Sequence, residues 1–365
     1  MSICAKRSVL ILGAGVSAPF GVPQGARMIP NIQAGLSADR NFVDGTEGRL
    51  AYELERFVRS TFSSNSQFWR QPYFGAVLSR HWDSVNRTLD VGGINQDLRR
   101  LRNLCGLLLN QTSETIDDFI VENPSYSDVI KICIAVEIMK RTYDLQGEKI
   151  SPKSLEVRTV GAKQRNWIHL LINLIRHGIR SGTVSPENKI KIISFNYDGI
   201  LEYVLDRQFE NTESQYDHYT NYIDIVHPHG QCGNLNVDAI SSPFQLTEWA
   251  SGISVVNERN VGNAAVLKAR KDARGWVKTA DTIYAAGFAF SGPNCDLIGL
   301  RNTSRINVAP ERSLHYCNYD GSIGVTLSAD RCDAIANRFH TNGTSEKPIS
   351  VEDWILSGHL GEMPG

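Results

Sequence analysis

The chain has 365 residues, 41% hydrophobic and 21% charged, with a net charge of −1 at pH 7. That is the balance of an ordinary globular protein, long enough for two domains or for one domain with a large insertion. It carries no bulk charge with which to hold nucleic acid or an anionic membrane, and no apolar run approaches the ~20 residues needed to cross a bilayer.

The N-terminal run SVLILG (8–13) reads as a buried strand entering the glycine-rich turn GAGVSAPFGVPQGA (13–26), which should lead into a helix. The run meets Gly13 and Gly15 rather than a small-residue cleavage site, so it reads as a strand and not as a signal peptide. From about Ile29 to Gly182 helical periodicity dominates, clearest over 49–62, 95–111, 126–143 and 164–182. Thr115-Ile116-Asp117-Asp118-Phe119 has the form of a helix start, with threonine as N-cap and acids in the first turn.

Strand character returns with KIKIISFNYD (189–198), and YIDIVHPHG (222–230), TIYAAGFAFSG (282–292) and RSLHYCNYDGS (312–322) repeat its form of an apolar strand and a polar turn. Strands alternating with helices imply a parallel sheet. The expected class is therefore α/β: a Rossmann-like sheet flanked by helices over 1–30 and 185–335, split by a helical insertion over 31–184 and followed by a tail over 336–365. Seven cysteines, at 4, 105, 133, 232, 295, 317 and 332, form no C-x-x-C pair. Their scatter suits reduced thiols in the cytosol and argues against a structural zinc site.

In a dinucleotide-binding turn the first glycine makes the turn, the second lets backbone approach a pyrophosphate, and a third small residue packs helix on strand. Gly13, Gly15 and Ala18 occupy those positions, with the amides of the following helix facing the phosphates and Ser17 adding a hydroxyl. A hydride-transfer enzyme also needs an acid at the end of a second strand about 20 residues on. Asp39 and Asp44 lie at that distance, but in a loop-like segment, which counts against a dehydrogenase. No Walker P-loop sequence occurs in the chain.

Ligands of open α/β sheets sit beyond the carboxyl ends of the strands. The polar residues there are Asn196, Tyr197 and Asp198, then His227, Pro228, His229 and Gly230, then Gly287, Phe288, Ser291 and Asn294. Asp198 could equally cap the helix that follows. His227 and His229 would share a face if their strand continued, as paired metal ligands do, but no carboxylate or cysteine cluster accompanies them.

In this order, GAGVSAPFGVP, FNYD (195–198), HPHG (227–230) and AAGFAFSGPN (285–294) resemble the motifs of the sirtuin family. The departures are specific. Deacetylating sirtuins continue their loop G-I-P-D-F-R, where this chain has Gly21-Val22-Pro23-Gln24-Gly25-Ala26, and place glutamine where Phe195 stands. Their four-cysteine zinc ribbon and Phe-Gly-Glu peptide-holding segment have no counterpart here.

The pattern is similar to the sirtuin-like NADases of bacterial antiphage defence, whose loop runs G-A-G-x-S-x-x-x-G-x-P-x-G and whose zinc module gives way to helices. The resemblance implies NAD+ as substrate rather than cofactor, no zinc, cleavage to nicotinamide and ADP-ribose, and host NAD+ depletion in abortive infection. It implies Asn196 and His229 as the catalytic pair, and NAD+ held by Gly13, Ala14, Gly15, Ser17, Pro23, Asp198, Gly230, Gly287 and Phe288. The adenosine ribose is expected near Asn307 or Asn318. The resemblance further implies a cytoplasmic homo-oligomer, formed through the helical insertion, with a HerA-type ATPase as partner. Two other readings stand beside it: an NAD-dependent protein deacylase, and a non-catalytic subunit that binds NAD or ADP-ribose to regulate a partner.

Overall fold

The computed structural model describes residues 3–4, 7–23, 25–38, 72–83, 88–113, 115–147, 167–210, 218–233, 245–255, 263–301, 312–317, 325–329, 332, 339–343, 350–358 and 360. The expected helix over 49–62, and Asp39, Asp44, Asn307 and Asn318, lie outside them. The chain divides into two units: a core of Met1–Phe20, Ile150–Gly230 and Arg259–Gly365, and a helical unit of Gly21–Lys149 and Gln231–Glu258.

The core is built on a six-stranded sheet of β1 (Ser8–Leu12), β4 (Ile190–Ser194), β5 (Ile223–Val226), β6 (Thr282–Ala286), β7 (Arg312–Cys317) and β8 (Phe339–Gly343). The strands lie in the order β5-β4-β1-β6-β7-β8, every neighbouring pair parallel. Renumbered by sequence within the sheet this is 3-2-1-4-5-6, the Rossmann order, in which chain direction across the sheet reverses beside the first strand. The apolar runs explain the placement: β1 and β6 are buried at every residue, as central strands covered on both faces must be.

The helical unit contains α1 (Gly25–Ala38), α2 (Pro72–Arg80), the hairpin β2 (Trp82–Asp83) and β3 (Thr88–Leu89), α3 (Val91–Leu109), α4 (Ile116–Glu122) and α5 (Ser127–Gly147). Thr115 caps α4 as its sequence suggests, its side chain accepting from the Asp118 amide at 3.2 Å. An ion-pair network ties α2, α3 and α5 together: Arg80 reaches Asp97 at 3.1 Å and Asp128 at 2.7 Å, and Arg100 bonds both carboxylates. Burial opposes the charge on Asp128, but Arg100 and Arg80 outweigh it and pull its carboxyl down to about 2.

Three boundaries differ from those expected from sequence. The helix α6 (Trp167–Arg180), read as part of the insertion, belongs to the core, where Trp167 Nε1 donates to the Val16 carbonyl at 2.9 Å. Residues 231–258, with α8 (Gln245–Gly252), return to the helical unit, where Gly233 packs against Trp249. Residues past 335 supply an edge strand, β8, and α11 (Val351–Leu356), which packs on α6 and buries Trp354. The rest of the core is α7 (Ile200–Glu210), α9 (Ala264–Thr279) and α10 (Gly292–Leu297). Among the described residues no helix is long and apolar enough to cross a membrane.

The turns after β1 and β6 touch backbone to backbone. Gly13 N–H donates to the Ala286 carbonyl at 3.0 Å and Gly15 N–H to the Gly287 carbonyl at 3.1 Å. A Cβ on Gly13 would stand 2.3 Å from Gly287 O, and one on Gly287 would stand 2.4 Å from Val16 N. Gly287 also has φ +60°, which side-chain-bearing residues rarely adopt. Gly287→Ala is therefore expected to destabilise the protein by roughly 2–4 kcal/mol in urea unfolding. Gly275 sits inside α9, and the space a methyl group would fill there is open. At that position the same change should stabilise by about 0.5–1 kcal/mol. Equal effects at both positions would remove the steric argument.

Candidate functional site

Four neighbouring strands end at the same edge of the sheet, and their following turns carry the polar residues singled out by sequence. After β1 the glycine-rich turn winds as a 3-10 segment, Ala14–Phe20, and leads into the expected helix, α1. Pro19 inside this segment removes an amide donor, and α1 begins only at Gly25. The tighter turn carries Ser17 inward, leaving it 3% exposed.

Ser17 meets the turn after β4. Asn196 Nδ2 donates to Ser17 Oγ at 2.9 Å, and the Ser17 hydroxyl donates to the Asp198 carboxylate. Asp198 Oδ1 also accepts from Ile200 N–H at 3.2 Å, so Asp198 does serve the start of α7. Asn196 and Asp198 are both buried, and Asn196 Oδ1 has no hydrogen-bond partner among the described residues. Beside them lies a cavity of about 10 Å³, the scale of one water molecule, with Ser17, Ser194, Asn196 and Asp198 as its polar lining. Trp167, Ile168, Phe20 and Leu201 close its apolar side.

Burial pushes the Asp198 carboxyl above its ordinary range, and the nearby Glu202 charge adds to the rise. The Ser17 and Ile200 hydrogen bonds and the neighbouring His227 charge act in the opposite direction.

The two histidines after β5 have separate surroundings. The strand stops at Val226, so they do not continue it as a shared face. His229 is 2% exposed and packs edge-on to Phe195, with centroids 5.0 Å apart, and stacks on Tyr197 at 5.9 Å. Phe288 also packs on Phe195 at 5.0 Å and leads on to Phe290. His227 instead bonds the Asn196 carbonyl and Glu202.

The structure thus brings together Ser17, Asn196 and Asp198 by hydrogen bonds, joins His229 and Phe288 to them through Phe195, and stacks Gly13 and Gly15 on Gly287. Gly230 forms the turn closing on the His227 carbonyl, with φ +74°. Ala14 is half-buried at the start of the 3-10 turn. Pro23 belongs to the helical unit.

The amides of Gly13, Gly15 and Val16 bond the Ala286, Gly287 and Gly13 carbonyls, so these three donors are committed within the protein. Sequence reasoning passed over Phe195, noted only as a replaced glutamine, and Glu202. The even spacing of FNYDGILE, with Glu202 one helical turn beyond Asp198, was the available signal for the latter.

No protein-family model matches the chain, and no characterised protein matches it.

Because folding raises the Asp198 pKa, the folded state holds that proton to higher pH than the unfolded chain. Its contribution to stability is therefore full below about pH 3.9, the unfolded value, and is lost as pH rises through the folded one. Asp198→Asn keeps the acceptor for Ile200 and removes the titration. Urea midpoints measured at pH 5 and pH 8 should fall less in this variant than in the wild type. An unchanged fall would show that Asp198 is not the group responsible.

Proposed function

We propose that the core unit is an NAD+ glycohydrolase, cleaving the nicotinamide–ribose bond to release nicotinamide and ADP-ribose. The observation that carries this reading is the buried Ser17–Asn196–Asp198 cluster beside the first strand of a Rossmann-ordered sheet, with His229 across Phe195. The order of motifs resembling sirtuins supplies the substrate class, and the departures from deacetylating sirtuins favour water over an acyl-lysine as acceptor. Host NAD+ depletion during phage infection is the role that the same resemblance implies.

Breaking a glycosidic C–N bond builds positive charge on the ribose in an oxocarbenium-like transition state. A carboxylate at Asp198 opposes that charge in a low-dielectric surrounding, where its effect is largest, and orients the carboxamide end. The Asn196 amide, anchored through Nδ2, turns Oδ1 toward the water-sized cavity and aligns the attacking water. His229 bonds the ribose hydroxyls and accepts the proton that the water loses. Phe195 and Phe288 exclude bulk water from the developing cation. With the amides at 13, 15 and 16 committed, the half-buried Ala14–Gly15 edge is left to meet the pyrophosphate.

Purified protein incubated with NAD+ should release nicotinamide and ADP-ribose in equal amounts, resolved by mass. Asn196→Ala and His229→Ala should each lower turnover by at least ~100-fold with the fold retained by circular dichroism. Turnover only in the presence of an acylated peptide would select the deacylase. NAD+ binding with no turnover would select a regulatory subunit, and wild-type rates in both variants would remove the assigned roles.

A further inference from the structure

His227 and Glu202 form a nearly buried pair, with side chains 12% and 13% exposed, that the chemistry above does not use. Nδ1 of His227 lies 3.1 Å from the Asn196 carbonyl oxygen, and Nε2 lies 2.5 Å from Glu202 Oε1. A carbonyl only accepts, so Nδ1 carries a hydrogen; an ionised carboxylate only accepts, so Nε2 carries one too. Two acceptors on opposite sides of one ring define an imidazolium.

The pair bridges three elements. Glu202 comes from the first turn of α7, His227 from the turn after β5, and Asn196 from the turn after β4. We propose that Glu202 and His227 are positioning residues: the carboxylate holds the imidazolium, and the imidazolium holds the Asn196 backbone so that its side chain keeps the bond to Ser17. As a statement about catalysis this rests on the NAD+ hydrolase reading. As a statement about the geometry of Asn196 it stands apart from it.

The groups facing His227 are Glu202 from α7 and the Asn196 carbonyl and Asp198 from the β4 turn. Arg270 of α9 reaches the neighbouring Pro228 carbonyl at 2.9 Å, bringing a positive charge to the same turn. Burial works against a charged imidazole, but the Glu202 charge and hydrogen bond, the Asn196 carbonyl and the Asp198 charge together outweigh it. His227 therefore keeps its proton to higher pH than an ordinary imidazole does. The brace is released as pH rises through the His227 titration.

Two measurements test this. The first follows the Asn196 side-chain amide in protein labelled with 15N-asparagine, assigned by its absence in Asn196→Ala, while pH is raised. Its shift should follow the His227 titration in the wild type, and the midpoint should fall in Glu202→Gln. An Asn196 amide indifferent to the His227 titration overturns the proposal, whatever the enzyme does with NAD+.

The second is kinetic. Glu202→Gln should lower kcat about tenfold with KM changed less than about twofold, and its alkaline limb should move to lower pH. His227→Ala should lose a similar factor, and the double variant no more than His227→Ala alone. His227→Asn, which keeps a donor at the Nδ1 position, should recover most of that loss and flatten the profile. A Glu202→Gln enzyme with the wild-type profile and kcat overturns the proposal. A wild type that turns over no NAD+, with the Asn196 amide still following His227, overturns the hydrolase reading and supports the brace.

Discussion

The backbone of the β1 turn rests on the backbone of the β6 turn with no side chain between them. Gly13, Gly15 and Gly287 make that contact possible: a methyl on Gly13 or Gly287 would lie within 2.4 Å of backbone atoms opposite. The contact sets the path of the chain leaving β1. Held against β6, the segment winds as a 3-10 turn whose Val16 carbonyl takes the Trp167 indole and whose Ser17 points into the core. Asn196 and Asp198 are both joined to that serine.

Ser17 is a relay with one acceptor role and one donor role. It takes a hydrogen from Asn196 and gives one to Asp198, so the side chains of the two residues are fixed relative to each other from a third element. In a low-dielectric interior such a chain is strong when satisfied and costly when broken. The Ser17 hydrogen bond favours the charged form of Asp198, against a burial that disfavours it. Asn196, Asp198 and His229 are each less than 10% exposed. On the hydrolase reading proposed above, such burial would exclude bulk water from the reaction.

The sheet was legible because its central strands are predominantly apolar: SVLIL, IKIIS and TIYAA each end in a polar turn, and those turns carry the candidate residues. The strand order could not be read from them, since parallel pairing joins segments far apart in sequence. FHTNG has no apolar run to announce it and yet forms the edge strand β8. Trp167–Arg180 has the strongest amphipathic pattern among the described helices, but a pattern shows that a helix has an apolar face and not which unit covers it. The glycines were recognised and their partner was not. A G-A-G turn has the same sequence whether its backbone approaches a phosphate or, as here, the next turn of the sheet. The two histidines of HPHG look equivalent in sequence, and only the end of β5 at Val226 sends one to Glu202 and the other to Phe195.

The most direct test of this account is a crystal structure of the His229→Ala protein grown with saturating NAD+, in which slow turnover preserves the dinucleotide. The nicotinamide ribose should lie within hydrogen-bonding distance of Asn196, with the carboxamide at Asp198 and the pyrophosphate over the Ala14–Gly15 edge. NAD+ bound on another surface, with the Ser17–Asn196–Asp198 cluster untouched, would contradict it.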